Sequence, residues 1–152
     1  MRKQFLFLKT YDLRTDEIVL KLECTTDADP EKRWVPAYHF AICDLRGKKM
    51  GACDLRVGYN VNMYYAGNIG YAVAPEYRGR HYAGKACFLL FELARRHGMR
   101  ELIITCNPDN IASARTCEYV GAKLIETVEL PENNPMRVEN GETHKRIYRV
   151  KL

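Results

Sequence analysis

The 152 residues carry 24 Lys+Arg against 19 Asp+Glu, with 47% hydrophobic and 28% charged residues. Such proportions describe one ordinary globular domain over residues 1–152 and exclude disordered, collagen-like and coiled-coil chains. No window approaches the ~18 uninterrupted apolar residues of a membrane span, and the basic start followed only by Phe5-Leu6-Phe7-Leu8 is too short for a signal peptide. A cytoplasmic protein without membrane contact is expected, monomeric or homodimeric.

Residues 1–33 give little pattern beyond two short apolar runs, Phe5 to Leu8 and Ile18 to Leu22, and a turn cluster at Thr25 to Pro30. Val35 to Leu45 is apolar on both faces, which predicts a central strand, and Arg46 to Lys49 turns it into a second strand, Met50 to Val57. Gly58 to Asn68 reads as a loop and Ile69 to Val73 as a third strand. Over residues 82–97, Ala83, Ala86, Cys87, Leu90, Phe91 and Ala94 recur at helical steps, and Gly98 ends the helix. Leu102 to Cys106 is a short β-branched strand. Asn107-Pro108-Asp109 then predicts a helix start, with a cap and a proline at the first position, and Gly121 its end. A strand at 122–128, a polar loop at 131–142 and an alternating strand to Leu152 complete the chain, the last being apolar enough to pair across a dimer.

The six cysteines include no Cys-x-x-Cys pair and no Cys/His spacing suited to a metal. Five have small or apolar neighbours, so reduced, buried thiols are expected, and no metal.

Charge is concentrated. Between Pro75 and Arg100 lie six bases (Arg78, Arg80, Lys85, Arg95, Arg96, Arg100) and two acids (Glu76, Glu92), which calls for a local anion. The turn Tyr77-Arg78-Gly79-Arg80-His81-Tyr82-Ala83-Gly84 stands between a strand and a helix start, where unpaired N–H groups favour phosphate. It is neither a Walker loop nor Gly-x-Gly-x-x-Gly. Nucleic acid is not expected, because the aromatic residues are scattered among core positions and form no basic stacking platform.

The segments Gly67 to Ala86, "GNIGYAVAPEYRGRHYAGKA", and Ile104 to Glu126, "ITCNPDNIASARTCEYVGAKLIE", resemble the GNAT superfamily of acyl-CoA-dependent N-acyltransferases. The first is similar to the family's pyrophosphate motif, Arg/Gln-x-x-Gly-x-Gly/Ala, with Arg78 at the first position and Ala83 at the last. The second is similar to its Asn…Asn-x-x-Ser…Glu-x-x-Gly pattern, matched by Asn107, Asn110, Ser113, Glu118 and Gly121. Within the superfamily the pattern most resembles the branch that contains ribosomal-protein N-terminal acetyltransferases.

The resemblance implies an α/β (α+β) fold with a twisted, mostly antiparallel mixed sheet flanked by helices. It implies acetyl-CoA as acyl donor and a small-molecule or protein amine as acceptor, joined by direct attack on the thioester. Cofactor contacts would come from Tyr71, Ala72 and Val73 on the strand, from Arg78, Gly79, Arg80, His81, Tyr82, Ala83 and Gly84 at the turn, and from Asn107, Asn110 and Ser113. An acyl-CoA-binding domain without turnover is the alternative. Three departures bear on catalysis. His81 stands where the family has its first motif glycine, and Cys117 stands where many members place a catalytic tyrosine. The N-terminal region lacks the helical pattern that usually shapes the acceptor pocket. Cys117 is therefore a candidate proton donor, with Tyr82 and Tyr119 as substitutes, and Glu76, His39 and Tyr71 are candidate bases.

Overall fold

The computed structural model describes residues 4–152; the basic residues 1–3 lie outside it. Four strands, β1 (Val19–Thr26), β2 (Ala37–Cys43), β3 (Lys49–Arg56) and β4 (Ile69–Val73), form one antiparallel sheet in sequence order. β5 (Glu101–Cys106), β6 (Lys123–Glu129) and β7 (His144–Lys151) form a second, in the order β5-β7-β6. The mostly antiparallel sheet expected from the sequence is thus split in two, with β4 and β5 at the facing edges. β7 is central, flanked by β5 and β6, so it has no free edge to pair across a dimer.

β2 is buried at every position but His39, as its two-sided apolar run requires. Helix α2 (Tyr82–Arg96) lays Ala86, Cys87, Leu90, Phe91, Leu93 and Ala94 on the core that includes Tyr38, Phe40, Cys53, Leu55 and Ile69. The leucine and phenylalanine side chains among them contribute ~1.5–3 kcal/mol each. This core lies on one face of the first sheet. Alternation puts His39, Asp54 and Gly70 on the other face.

The predicted loop at 58–68 contains a helix, α1 (Val61–Ala66), whose Asn60 side chain caps the Met63 N–H at 2.8 Å. The predicted polar loop at 131–142 contains α4 (Pro135–Asn140), capped by Asn134, opened by Pro135 and closed by left-handed Gly141. Helix α3 (Ile111–Tyr119) begins later than Asn107-Pro108 predicts. Its cap is Asn110, whose Oδ1 accepts from the Ser113 N–H at 3.1 Å, and Asn107 to Asp109 form a turn before it. No helix forms over residues 4–18. That segment is instead pinned by the Leu8 N–H to the Tyr38 hydroxyl at 2.7 Å, and by Asp12 to Arg96. Cys24 is exposed, while Cys43, Cys53, Cys87, Cys106 and Cys117 are buried.

Candidate active site

β4 and β5 are joined at one point. The buried Asn68 donates its backbone N–H to Ile103 O at 2.7 Å and accepts from the Ile103 N–H through Oδ1 at 2.9 Å. Its Nδ2 donates to the carbonyls of Arg56 and Gly58. Beyond this clasp, no ladder joins the two strands among the described residues. The Arg56 N–H bonds Asn68 O and the Ala74 N–H bonds Met50 O, so the even-numbered residues of β4 face β3. Tyr71 and Val73 therefore turn their backbone groups to the open edge. Arg78 Nε already satisfies the Val73 carbonyl at 2.9 Å, which leaves the Tyr71 peptide groups and the Val73 N–H for a strand-like ligand.

The turn that follows β4 leaves a second set of backbone donors without partners in the helix. The first helical bond of α2 runs from the Lys85 N–H to His81 O, so the N–H groups of Tyr82, Ala83 and Gly84 have no helical partner. His81 has φ 60°, the left-handed region, which explains why a glycine suits its position. Its ring stacks on Tyr119 at 4.1 Å and 6°, which offsets the conformational cost. The Tyr119 ring lies over Gly84 so closely that a Cβ there would collide with it. Gly79 is also left-handed, at φ 86°, and faces open space. Of the six bases in this window, Lys85, Arg95 and Arg96 are paired with Glu17, Glu92 and Asp12. Arg78 and Arg80, at the turn itself, form no ion pair among the described residues.

On the α2 side of β4, the Tyr71 hydroxyl meets Ser113 Oγ at 2.7 Å and Cys117 Sγ at 3.8 Å. Burial drives the Tyr71 phenol well above its ordinary range and the Cys117 thiol up to about 12, so both stay neutral at physiological pH. Asn110 and Ser113 share the helix end, but Asn110 spends its Oδ1 on the cap. Asn107 Oδ1 is buried without a hydrogen-bond partner among the described residues. Burial raises the nearby Glu142 carboxyl, but hydrogen bonds from Lys145 and Asn107 outweigh it and hold the group below its ordinary value. An orphaned carbonyl beside an open strand edge is what an amide-bearing ligand would satisfy.

Among the candidate bases, Glu76 is exposed in the 3-10 turn Pro75–Tyr77. His39 lies across the sheet from Tyr71, with Nε2 3.1 Å from Thr26 Oγ1 and Nδ1 3.9 Å from Asp54 Oδ2. The structure thus brings Tyr71, Ser113 and Cys117 together and separates them from His39 and Glu76. Tyr119 sits at the turn, away from Tyr71. Sequence reasoning missed its packing role; the glycine at position 84 is the signal that marks it. Among the described residues there is no group of three or more His, Cys, Asp and Glu able to hold a metal, and no helix long and apolar enough to cross a membrane.

Two antiparallel sheets, with a free strand edge leading to an unpaired helix N-terminus, agree with the fold that the acyltransferase resemblance implies. The family model described as Acetyltransferase (GNAT) domain matches residues 11–123, and the chain belongs to that family. No curated protein matches it. Among solved structures it is similar to a GNAT-family acetyltransferase from Bacillus anthracis, at 19% identity and TM-score 0.60 over 74% of this chain and 65% of that one. It is also similar to the microcin C7 self-immunity acetyltransferase MccE in complex with acetyl-CoA and AMP, at 22% identity and TM-score 0.59 over 76% and 61%. A third is the ribosomal-protein alpha-N-acetyltransferase RimL in complex with coenzyme A, at 21% identity and TM-score 0.59 over 76% and 62%. At these identities the likeness is one of fold, and the chain spans 61% to 65% of the length of these structures.

Proposed function

We propose that residues 1–152 act as one domain that transfers an acetyl group from acetyl-CoA to a primary amine. The observation that carries this reading is the presence of two sets of open backbone donors, at Tyr71 and Val73 and at Tyr82 to Gly84, on either side of one short turn. The family membership and the coenzyme-bound neighbours support it.

Acetyl-CoA supplies an activated thioester. The peptide groups of Tyr71 and Val73 would pair with the pantetheine arm as an added strand. The N–H groups at the start of α2, with Arg78 and Arg80, would take the pyrophosphate. Asn107 Oδ1 would accept from a pantetheine amide, and Asn110 Nδ2 and Ser113 line the same side. A backbone N–H at the β4 edge would polarise the thioester carbonyl as the amine attacks. The C–N bond forms, the C–S bond breaks, and the proton lost by nitrogen returns to sulfur.

Full transfer of that proton from Cys117 is uphill, because a thiolate has a reference pKa of ~8.5 and burial holds Cys117 near 12. Tyr71 and Ser113 serve better as neutral hydrogen-bond donors to the developing thiolate, with Cys117 packed behind them. An acceptor screen with acetyl-CoA, following free CoA thiol, tests the activity. Once an acceptor is known, Tyr71→Phe should lower turnover at least tenfold with CoA affinity intact. Cys117→Ala should leave turnover within about twofold; a tenfold loss would restore Cys117 as the donor. CoA binding without thiol release across a broad amine panel would favour the non-catalytic reading instead.

A further inference from the structure

The face of the first sheet turned away from α2 carries a cavity of about 330 Å³ that the coenzyme contacts do not use. Its floor is His39 and Asp54, its walls include Trp34, Met63 and Met136, and Arg33 stands at its rim. Its volume is at the small end of the ~300–1,000 Å³ range of small-molecule pockets.

The floor is next to the open strand edge. Asp54 stands opposite Gly70 of β4, and a Cβ on Gly70 would lie 2.5 Å from Asp54 Oδ1. A missing side chain therefore lets this carboxylate rest against the strand one residue before Tyr71. Asp54 Oδ2 is held by Arg56 at 3.0 Å, and Arg56 is itself fixed by the Gly67 carbonyl at 2.9 Å. Asp54 Oδ1 makes no hydrogen bond among the described residues, and neither does His39 Nδ1. The side chain of Asp54 is 17% exposed, so its free oxygen is a pre-oriented acceptor with little water around it. An unused carboxylate oxygen and an unused imidazole nitrogen stand together there.

The rim has the opposite character. Lys32 lies over the Trp34 ring at 4.5 Å, and Arg33 follows it in the left-handed region at φ 57°. Neither forms an ion pair among the described residues. Between floor and rim, the indole and the two thioethers offer an apolar, adaptable wall.

We propose that this cavity is the acceptor site and that its ligand is a free apolar α-amino acid, with the ammonium on Asp54 beside His39, the carboxylate on Arg33 and Lys32, and the side chain against Trp34, Met63 and Met136. This assignment rests on the acetyl-transfer reading for the fate of the amine, but not for its binding. A ligand with separated charges and an apolar body matches each part of the lining once. A peptide N-terminus lacks the adjacent carboxylate and leaves the rim cations unpaired.

Titration calorimetry of the full chain with saturating CoA, using L-methionine and L-phenylalanine, tests the proposal. Binding is expected with Kd below about 1 mM. It should weaken at least tenfold for L-methioninamide, for N-acetyl-L-methionine and for a dipeptide with N-terminal methionine. Arg33→Gly suits the left-handed backbone and should keep the fold; it should weaken the free amino acid at least fivefold and leave CoA binding unchanged. Asp54→Asn should abolish binding. Undetectable binding of both amino acids, or equal affinity for acid and amide, would overturn the assignment. Thiol release is read separately. Amino-acid binding without thiol release would overturn the acetyl-transfer reading alone. Release with an amine that L-methionine does not displace would overturn this assignment alone.

Discussion

The two ends of helix α2 are built on opposite plans. At the C-terminal end the carbonyls of Leu93, Ala94 and Arg95 and the Arg96 side chain are partnered within the chain. Arg96 bonds both oxygens of Asp12, and the His97 N–H reaches back to Leu93 and Ala94. His97 Nε2 lies 2.6 Å from the Tyr38 hydroxyl, which also accepts from Leu8. At the N-terminal end His81 holds a left-handed conformation, offers no side-chain cap, and three N–H groups are left open. The same helix is thus tied to the core at one end and leaves backbone donors open at the other. Unsatisfied polarity, rather than charge count, marks where a ligand belongs.

Four measurements would break or sharpen this contrast. The largest effect is expected at the open end: Ala83→Leu should weaken CoA roughly a hundredfold, about 2.7 kcal/mol, by blocking phosphate approach. Arg95→Ala, exposed and paired only with Glu92, should leave CoA affinity unchanged in the same calorimetric titration. Equal affinities for wild type and Ala83→Leu would remove the anion site from this turn.

At the tied end, Tyr38→Phe deletes one hydroxyl and orphans both the Leu8 N–H and His97 Nε2. It should cost about 1–3 kcal/mol in denaturant unfolding, and an unchanged midpoint would mean that the segment is held without this bond.

The third measurement uses pH. The Tyr38 hydroxyl accepts from the Leu8 N–H and meets His97 Nε2, and partial burial of the ring favours its neutral form. Burial lowers the His97 pKa below the ordinary 6.5. The unfolded chain takes up the proton first as pH falls, so the contribution is complete above pH ~6.5 and is lost on the way down through the folded value. Urea midpoints should therefore decline between pH 7.5 and 5.5, and His97→Gln should flatten that decline. A midpoint that rises over this range would contradict the assignment.

The smallest effect is expected for His81→Gly. Relief of a left-handed backbone, ~1 kcal/mol, and loss of the Tyr119 stack, ~0.5–1.5 kcal/mol, nearly cancel. Melting temperature should shift by only a few degrees with CoA affinity intact, and a large loss of affinity would show that the ring itself touches the ligand.

Helix α2, the turn before it and the strand Glu101–Cys106 were legible in the sequence because each follows from neighbouring residues. A three- and four-step apolar stripe, a glycine stop and a β-branched run need no distant partner. The short helices α1 and α4 were not legible from periodicity, since six residues carry too little of it. Their signals are the caps, Asn60 in one case and Asn134-Pro135 with Asn140-Gly141 in the other. Asn107 and Asn110 compete for one cap in the sequence, with proline favouring the first; the fold gives the cap to Asn110 and leaves Asn107 with a free buried carbonyl. The site itself was half legible. Its basic, donor-rich turn is local, whereas the open edge depends on contacts between residues far apart, and His39 and Asp54 meet only through the β2–β3 register.

Asn68 has a consequence beyond holding two strands. One side chain fixes the junction of the two sheets at the closed end, through bonds to Arg56, Gly58 and Ile103 alone. The width of the opening is therefore set independently of the residues that would read the thioester. If an acyl donor lies between β4 and β5 as proposed, a change at this single buried amide would alter how thick a chain fits there while the recognition groups stay the same, so donor size and donor identity would be governed by separate parts of the molecule.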